Sequence, residues 1–142
     1  MKILRGTIFG GIAFFLLGWL VYGMLLMDFM AANSNNCAAR LDDEMIWWAM
    51  IVSNLILALF ITLVLKWSGA KSVTDGLKTG AAIGFLTGLS MDLSFYSMTT
   101  MFNNLTTLIV DVIVYSILLG VVGIIIVLTW GKEKKDVRSE EV

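Results

Sequence analysis

GLKTGAAIGFLTGLSMD, running from Gly76 to Asp92, decides how this chain is read. Four glycines at an unbroken four-residue step, Gly76, Gly80, Gly84 and Gly88, share one helix face, and the next step lands on a carboxylic acid, Asp92. In an aqueous helix each interior glycine costs roughly 0.5–1 kcal/mol relative to alanine. Such a series makes sense where helices associate by close backbone contact, as they do in lipid, which is as apolar as leucine. The four glycines are therefore helix-packing residues, forming either a seam within one chain or a contact between copies. Asp92, continuing their face, points toward a helix neighbour and away from lipid.

The rest of the sequence agrees with a lipid setting. Of 142 residues 58% are apolar and 15% charged, and the mean hydropathy is +0.88. Four apolar stretches reach the roughly twenty residues that a helix needs to cross a hydrocarbon core of about 30 Å. They lie at 7–30, 46–65, 77–101 and 106–130, followed by a charged tail at 131–142. The expected fold is all-α, a single four-helix transmembrane bundle. With no proline anywhere, the four helices are expected to be unkinked.

Lysine and arginine are retained on the cytoplasmic face during insertion. Lys2, Arg5, Lys66, Lys71, Lys78, Lys132, Lys134, Lys135 and Arg138 fall on one side of these spans and Arg40 alone on the other. Both termini are thus expected in the cytoplasm, in a multi-pass protein of the bacterial inner membrane. Trp67 and Trp130 on one side, with Trp47 and Trp48 on the other, sit where interfacial aromatic belts form. The first apolar run is longer than a signal-peptide core and lacks a small-x-small cleavage site, so it is expected to remain as a span.

Several function classes drop out. A net charge of -1 with interleaved signs provides no basic surface for nucleic acid. The absence of histidine removes His-activated nucleophiles and imidazole metal ligands. A single cysteine, Cys37, cannot form an intrachain disulfide. No nucleotide-binding loop or nucleophile elbow occurs, so neither an enzyme activity nor a cofactor is expected. The expected partners are the bilayer, another copy or a membrane protein, and a proton or small cation.

The chemistry lies inside the membrane. At about 1.5 Å rise per residue, Tyr22, Asn54, Asp92 and Asp111 come to a similar depth. Tyr96 follows Asp92 by one turn. Asn104, Thr107, Asp111 and Tyr115 recur at three- and four-residue spacing in the fourth span. No Lys, Arg or His occurs at that depth, and ionised carboxylates in hydrocarbon are costly. The acids must be protonated, share a proton, or hold a cation or water in a cavity. Asp92, Asp111, Asn54, Tyr22, Tyr96 and Tyr115 are therefore candidate ligand-binding residues for a proton, small cation or small polar solute. The rival reading is an accessory subunit in which the buried acids only set helix register.

Methionines give a third reading. Met24, Met27, Met91, Met98 and Met101 fall in the half of the spans facing away from the termini. Thioethers select soft Cu(I) or Ag(I), so these residues are the candidate metal ligands. They also suit an irregular bundle core, which methionine fills well.

The two halves share a pattern. Gly10, Gly18 and Tyr22 align with Gly80, Gly88 and Asp92, and Ile51 to Asn54 aligns with Leu108 to Asp111, as in a parallel 2+2 repeat about the membrane normal. Gly18-Trp19-Leu20-Val21-Tyr22-Gly23 resembles the Gly-x-x-x-Tyr pattern that opens an uncharacterised family of small bacterial four-span integral membrane proteins. The Gly80 to Asp92 region is similar to it in kind. The resemblance implies an inner-membrane four-helix protein and no particular activity.

Overall fold

The computed structural model describes residues 1–34 and 42–131. Cys37, Arg40 and the charged tail fall outside the described residues. Within them are five α-helices: α1 Lys2–Leu20, α2 Met27–Asn33, α3 Trp47–Trp67, α4 Val73–Met98 and α5 Leu105–Trp130. Three helices are long and apolar enough to cross a membrane: α1 with its extension to Leu25, α3, and α5. The fourth long helix, α4, has 26 residues and spans about 39 Å. Its glycines, serines, threonines, Lys78 and Asp92 make it less apolar than the other three.

Local chemistry sets the boundaries. The helix α4 starts four residues before its apolar run because Ser72 and Asp75 form a capping box. Ser72 Oγ accepts from the Asp75 N–H at 3.2 Å, and Asp75 Oδ2 accepts from the Lys71 and Ser72 N–H groups at 3.0 and 3.1 Å. Those N–H bonds, Lys71's first, hold the Asp75 carboxyl below the ordinary carboxylate range. The end of α3 is a glycine-terminated Schellman turn. Ala70 N–H reaches Leu65 O at 3.0 Å and Gly69 N–H reaches Lys66 O at 3.2 Å, with Gly69 at φ +70°. Asn104 caps α5, its Oδ1 accepting from the Thr107 N–H at 2.8 Å and the Thr107 hydroxyl at 2.7 Å.

The first span corrects one expectation. It is not a straight helix: α1 passes into a π turn at Val21–Leu25, closed by Leu26 N–H to Val21 O at 2.8 Å, and α2 begins beyond a break at Leu26. No proline is needed for this, because one extra residue in the hydrogen-bonded turn breaks the α ladder by itself. The π turn carries Tyr22. Beyond it, α2 is tied to the α4–α5 connection through Asn103 N–H to Asn33 O at 3.0 Å and the Ser34–Phe102 bridge.

The helix α1 runs antiparallel to α3 and to α5, and α4 antiparallel to α5. The N-terminal half of α1 lies across α3 and α5, with Gly6 over Thr62 and Ile126, Gly10 over Ile126 and Ala58, and Gly11 over Leu55. Trp130 Nε1 donates to Lys2 O at 2.9 Å, and Lys2 Nζ lies 5.7 Å from the Trp130 ring centroid, so the first and last described helices meet at one end. The apolar core there comprises Ile61, Leu65, Leu119, Val122 and Ile126. A smaller cluster of Phe102, Leu108 and Val112 closes the other end, with Met30 and Leu89 against it. Large apolar side chains such as Phe9, Leu16, Ile56, Leu86 and Ile117 cover the outside, whereas Thr62, Asp92 and Thr107 are buried. Apolar groups outside and polar groups inside are the arrangement a lipid-exposed helix set requires.

Candidate functional site

The site grows out of the seam between α4 and α5. Along α4 the glycine face advances by four residues while the α5 face recedes by four. Gly76 meets Val127 and the Gly123 carbonyl; Gly80 meets Leu119 and the Gly120–Gly123 turn; Gly84 meets Leu119 and Ser116; Gly88 meets the Tyr115 ring. A Cβ on Gly76 would lie 2.5 Å from Gly123 O, and one on Gly84 would lie 2.8 Å from Ser116 Cα. On Gly80 it would run into the Leu119 carbonyl, and on Gly123 into the Gly76 carbonyl. At these positions the obstacle is backbone. At Gly88 it is only Tyr115 Cδ1, at 2.9 Å, part of a ring that can turn.

One further step along both helices sets Asp92 opposite Asp111. Their carboxyls face each other and interact electrostatically, and the Tyr22 hydroxyl from the π turn interacts with Asp111 in the same way. Tyr115 adds a fourth group. It interacts electrostatically with both acids, contacts Thr87, and stacks edge-on against Phe14 with ring centroids 6.3 Å apart. Asp92 is 8% exposed, and its Oδ2 is buried without a hydrogen-bond partner. An orphaned buried carboxylate oxygen is costly, and therefore chemically informative.

Four of the six residues proposed from sequence thus converge: Asp92, Asp111, Tyr22 and Tyr115. The other two lie elsewhere. The Asn54 amide donates to the Met50 carbonyl of its own helix at 2.8 Å, and Tyr96 is 44% exposed on the outer part of α4. The expectation of equal depth is corrected: Leu55 packs on Gly11, so its neighbour Asn54 lies about three turns along α1 from Tyr22, away from the acids. Thr87 enters the site without having been singled out. Its place one residue before Gly88 was the available sign. Met24, Met27, Met91, Met98 and Met101 are all exposed. Among the described residues no three His, Cys, Asp or Glu side chains gather into a metal-binding group.

Gly18, in phase with Gly6 and Gly10, does not share their contacts: nothing outside its own helix lies within 4 Å of where its Cβ would be.

Comparison of the chain with protein-family models, curated proteins and solved structures finds no match.

Proposed function

We propose that this is a four-span integral membrane protein of the bacterial inner membrane, both termini cytoplasmic, that binds or passes a proton, small cation or small polar solute at Asp92 and Asp111. The observation that carries the reading is the buried, unpartnered Oδ2 of Asp92 opposite a second carboxyl. Acids at membrane depth with no basic partner are functional by default, because their cost calls for an occupant. On this reading α4 is the third span. Its polar side chains are tolerated because its glycine face is covered by α5 and its acid is turned inward. The nine-to-one distribution of basic residues supports the orientation.

The test is transport in vesicles reconstituted with purified protein, with proton and alkali-cation flux followed by internal dyes. Flux that is present in the parent and lost in Asp92→Asn, with thermal unfolding unchanged, supports the reading. A second reading, an accessory subunit whose acids only latch two helices, draws support from the acids occupying the next step of a packing seam. It expects no flux and co-purification with a fixed membrane partner.

A further inference from the structure

We infer that the occupant of this cluster is a proton held between the Asp92 and Asp111 carboxyls, and that Tyr22, on the π turn, is the residue through which it exchanges. The inference rests on the reading of the cluster as a binding site and names its ligand.

The juxtaposition of the two acids stands on helix register. Four successive α4 positions, Gly76, Gly80, Gly84 and Gly88, meet α5 positions that retreat by the same step toward Tyr115. Asp92 and Asp111 are the next pair. Two ionised carboxylates offer acceptors only, so a hydrogen bond between them needs a proton on one. The buried Asp92 Oδ2 has no protein donor to take that place.

A metal ion fits the same residues poorly. Hard cations such as Ca²⁺ take about six to eight oxygen ligands, and two carboxyls with two phenol oxygens reach the lower end of that range only if both carboxyls bind through both oxygens. Thr87 and Ser116, the nearby hydroxyls, donate within their own helices to Ile83 O and Val112 O at 2.6 and 2.7 Å. A neighbouring cavity of about 250 Å³ is lined by aliphatic side chains of the α1 region and α5, among them Leu17, Val21, Val114 and Ile117, and offers an ion no oxygen. The titratable groups facing the pair are Tyr22 from the first span and Tyr115 from α5. Among the described helices no basic side chain lies at the level of the pair: α1 carries none beyond Arg5, α3 none before Lys66, α4 none beyond Lys78, and α2 and α5 none at all. With one shared proton the pair keeps a single negative charge, which the Tyr22 hydroxyl can solvate by donating to Asp111.

Exchange needs one further reactant, water. When the Tyr22 hydroxyl turns away from Asp111, its oxygen accepts the pair's proton while its own proton passes to a water molecule on the side away from the pair. The hydroxyl is regenerated, and the pair carries one more negative charge until a proton returns by the reverse step. The wider π turn, which presents Tyr22 at this level, is a device found at functional sites more than elsewhere.

Infrared spectroscopy of the intact purified protein in lipid tests this. The expected result is a carbonyl band of a protonated carboxylic acid at neutral pH that shifts in D₂O, is lost in Asp92→Asn and equally in Asp111→Asn, and is indifferent to added Na⁺, K⁺ or Ca²⁺. Tyr22→Phe is expected to retain the band and slow its shift in D₂O. A folded parent without the band, or a band abolished by one of those cations, overturns the proposal, and a Tyr22→Phe protein exchanging at the parent rate overturns the role of Tyr22. The parent spectra need no variant to fold. Flux without the band defeats the shared proton and leaves the binding-site reading standing; the band without flux of any kind defeats transport and leaves the shared proton as a latch.

Discussion

From Gly76 to Gly84 the glycine face of α4 lies against the α5 backbone, and the carbonyls of Leu119 and Gly123 occupy the space a Cβ would need. Two turns beyond Gly84 the same face presents Asp92 to Asp111, carboxyl to carboxyl. Both regions obey one four-residue step. At the glycine end it lets backbones touch, which holds the two helices at a fixed distance and rotation. At the acid end it spends that precision on bringing together two groups that would otherwise avoid each other in hydrocarbon. The acids need no local device to position them: the glycines about two to four turns away do so, and damage at either end should be felt differently.

Gly80→Ala should do the most harm to stability, since its Cβ meets the Leu119 carbonyl and no side chain can yield. Overpacking of this kind costs about 1–3 kcal/mol, measurable as a lower thermal midpoint in detergent. Because the helices must separate, it should also reduce any flux. Asp92→Asn should separate function from stability: flux is lost while the midpoint barely moves. The double variant Asp92→Asn, Asp111→Asn should remain about as stable as the parent, because an amide pair can still hydrogen-bond. A large loss of stability there would say that the acids are a latch first. Gly88→Ala sharpens the boundary between the two regions. Its Cβ meets only the Tyr115 ring, so it should cost less than Gly80→Ala in stability while disturbing the acid site through Tyr115.

Smaller effects are expected away from the seam. The Asp75 carboxyl, depressed by its capping bonds, contributes stability that is present above the ordinary carboxylate value and is lost as pH falls through its lower folded value. Asp75→Ala should remove that acid-side dependence, which unfolding curves collected on the acid side of neutrality would show. Gly18→Ala, facing open space, should be harmless or stabilising by roughly 0.5–1 kcal/mol. A marked loss at Gly18 would instead point to a second molecule on that face.

Much of this was readable in the chain. The glycine step announces a backbone contact, and the acid that continues it announces an inward-facing carboxyl. What could not be read was where the first two spans cross. Counting from the segment ends puts Tyr22 and Asn54 at one depth, but Gly11 packs on Leu55, which leaves Asn54 about three turns from Tyr22 and bonded within α3 to Met50. A one-residue widening of a turn leaves no compositional mark, and the chain contains no proline to suggest it. The α5 side of the seam was also obscure, since Tyr115, Leu119, Gly123 and Val127 share a step without sharing a residue type. The fourth long helix shows the limit of hydropathy as a guide: the residues that make α4 less apolar include the glycines and the acid that the seam turns inward.

The most direct test of the account is a disulfide between its two acids. In a Cys37→Ser background, Asp92→Cys with Asp111→Cys should crosslink within one chain under mild oxidation, as a pair whose Cα atoms lie within about 7 Å can, and peptide mapping should identify the bridge. Ser94→Cys with Asp111→Cys, taken from the exposed side of α4, should not. Absence of the 92–111 bridge in a folded protein, or equal crosslinking of the 94–111 control, would contradict the register on which the site depends.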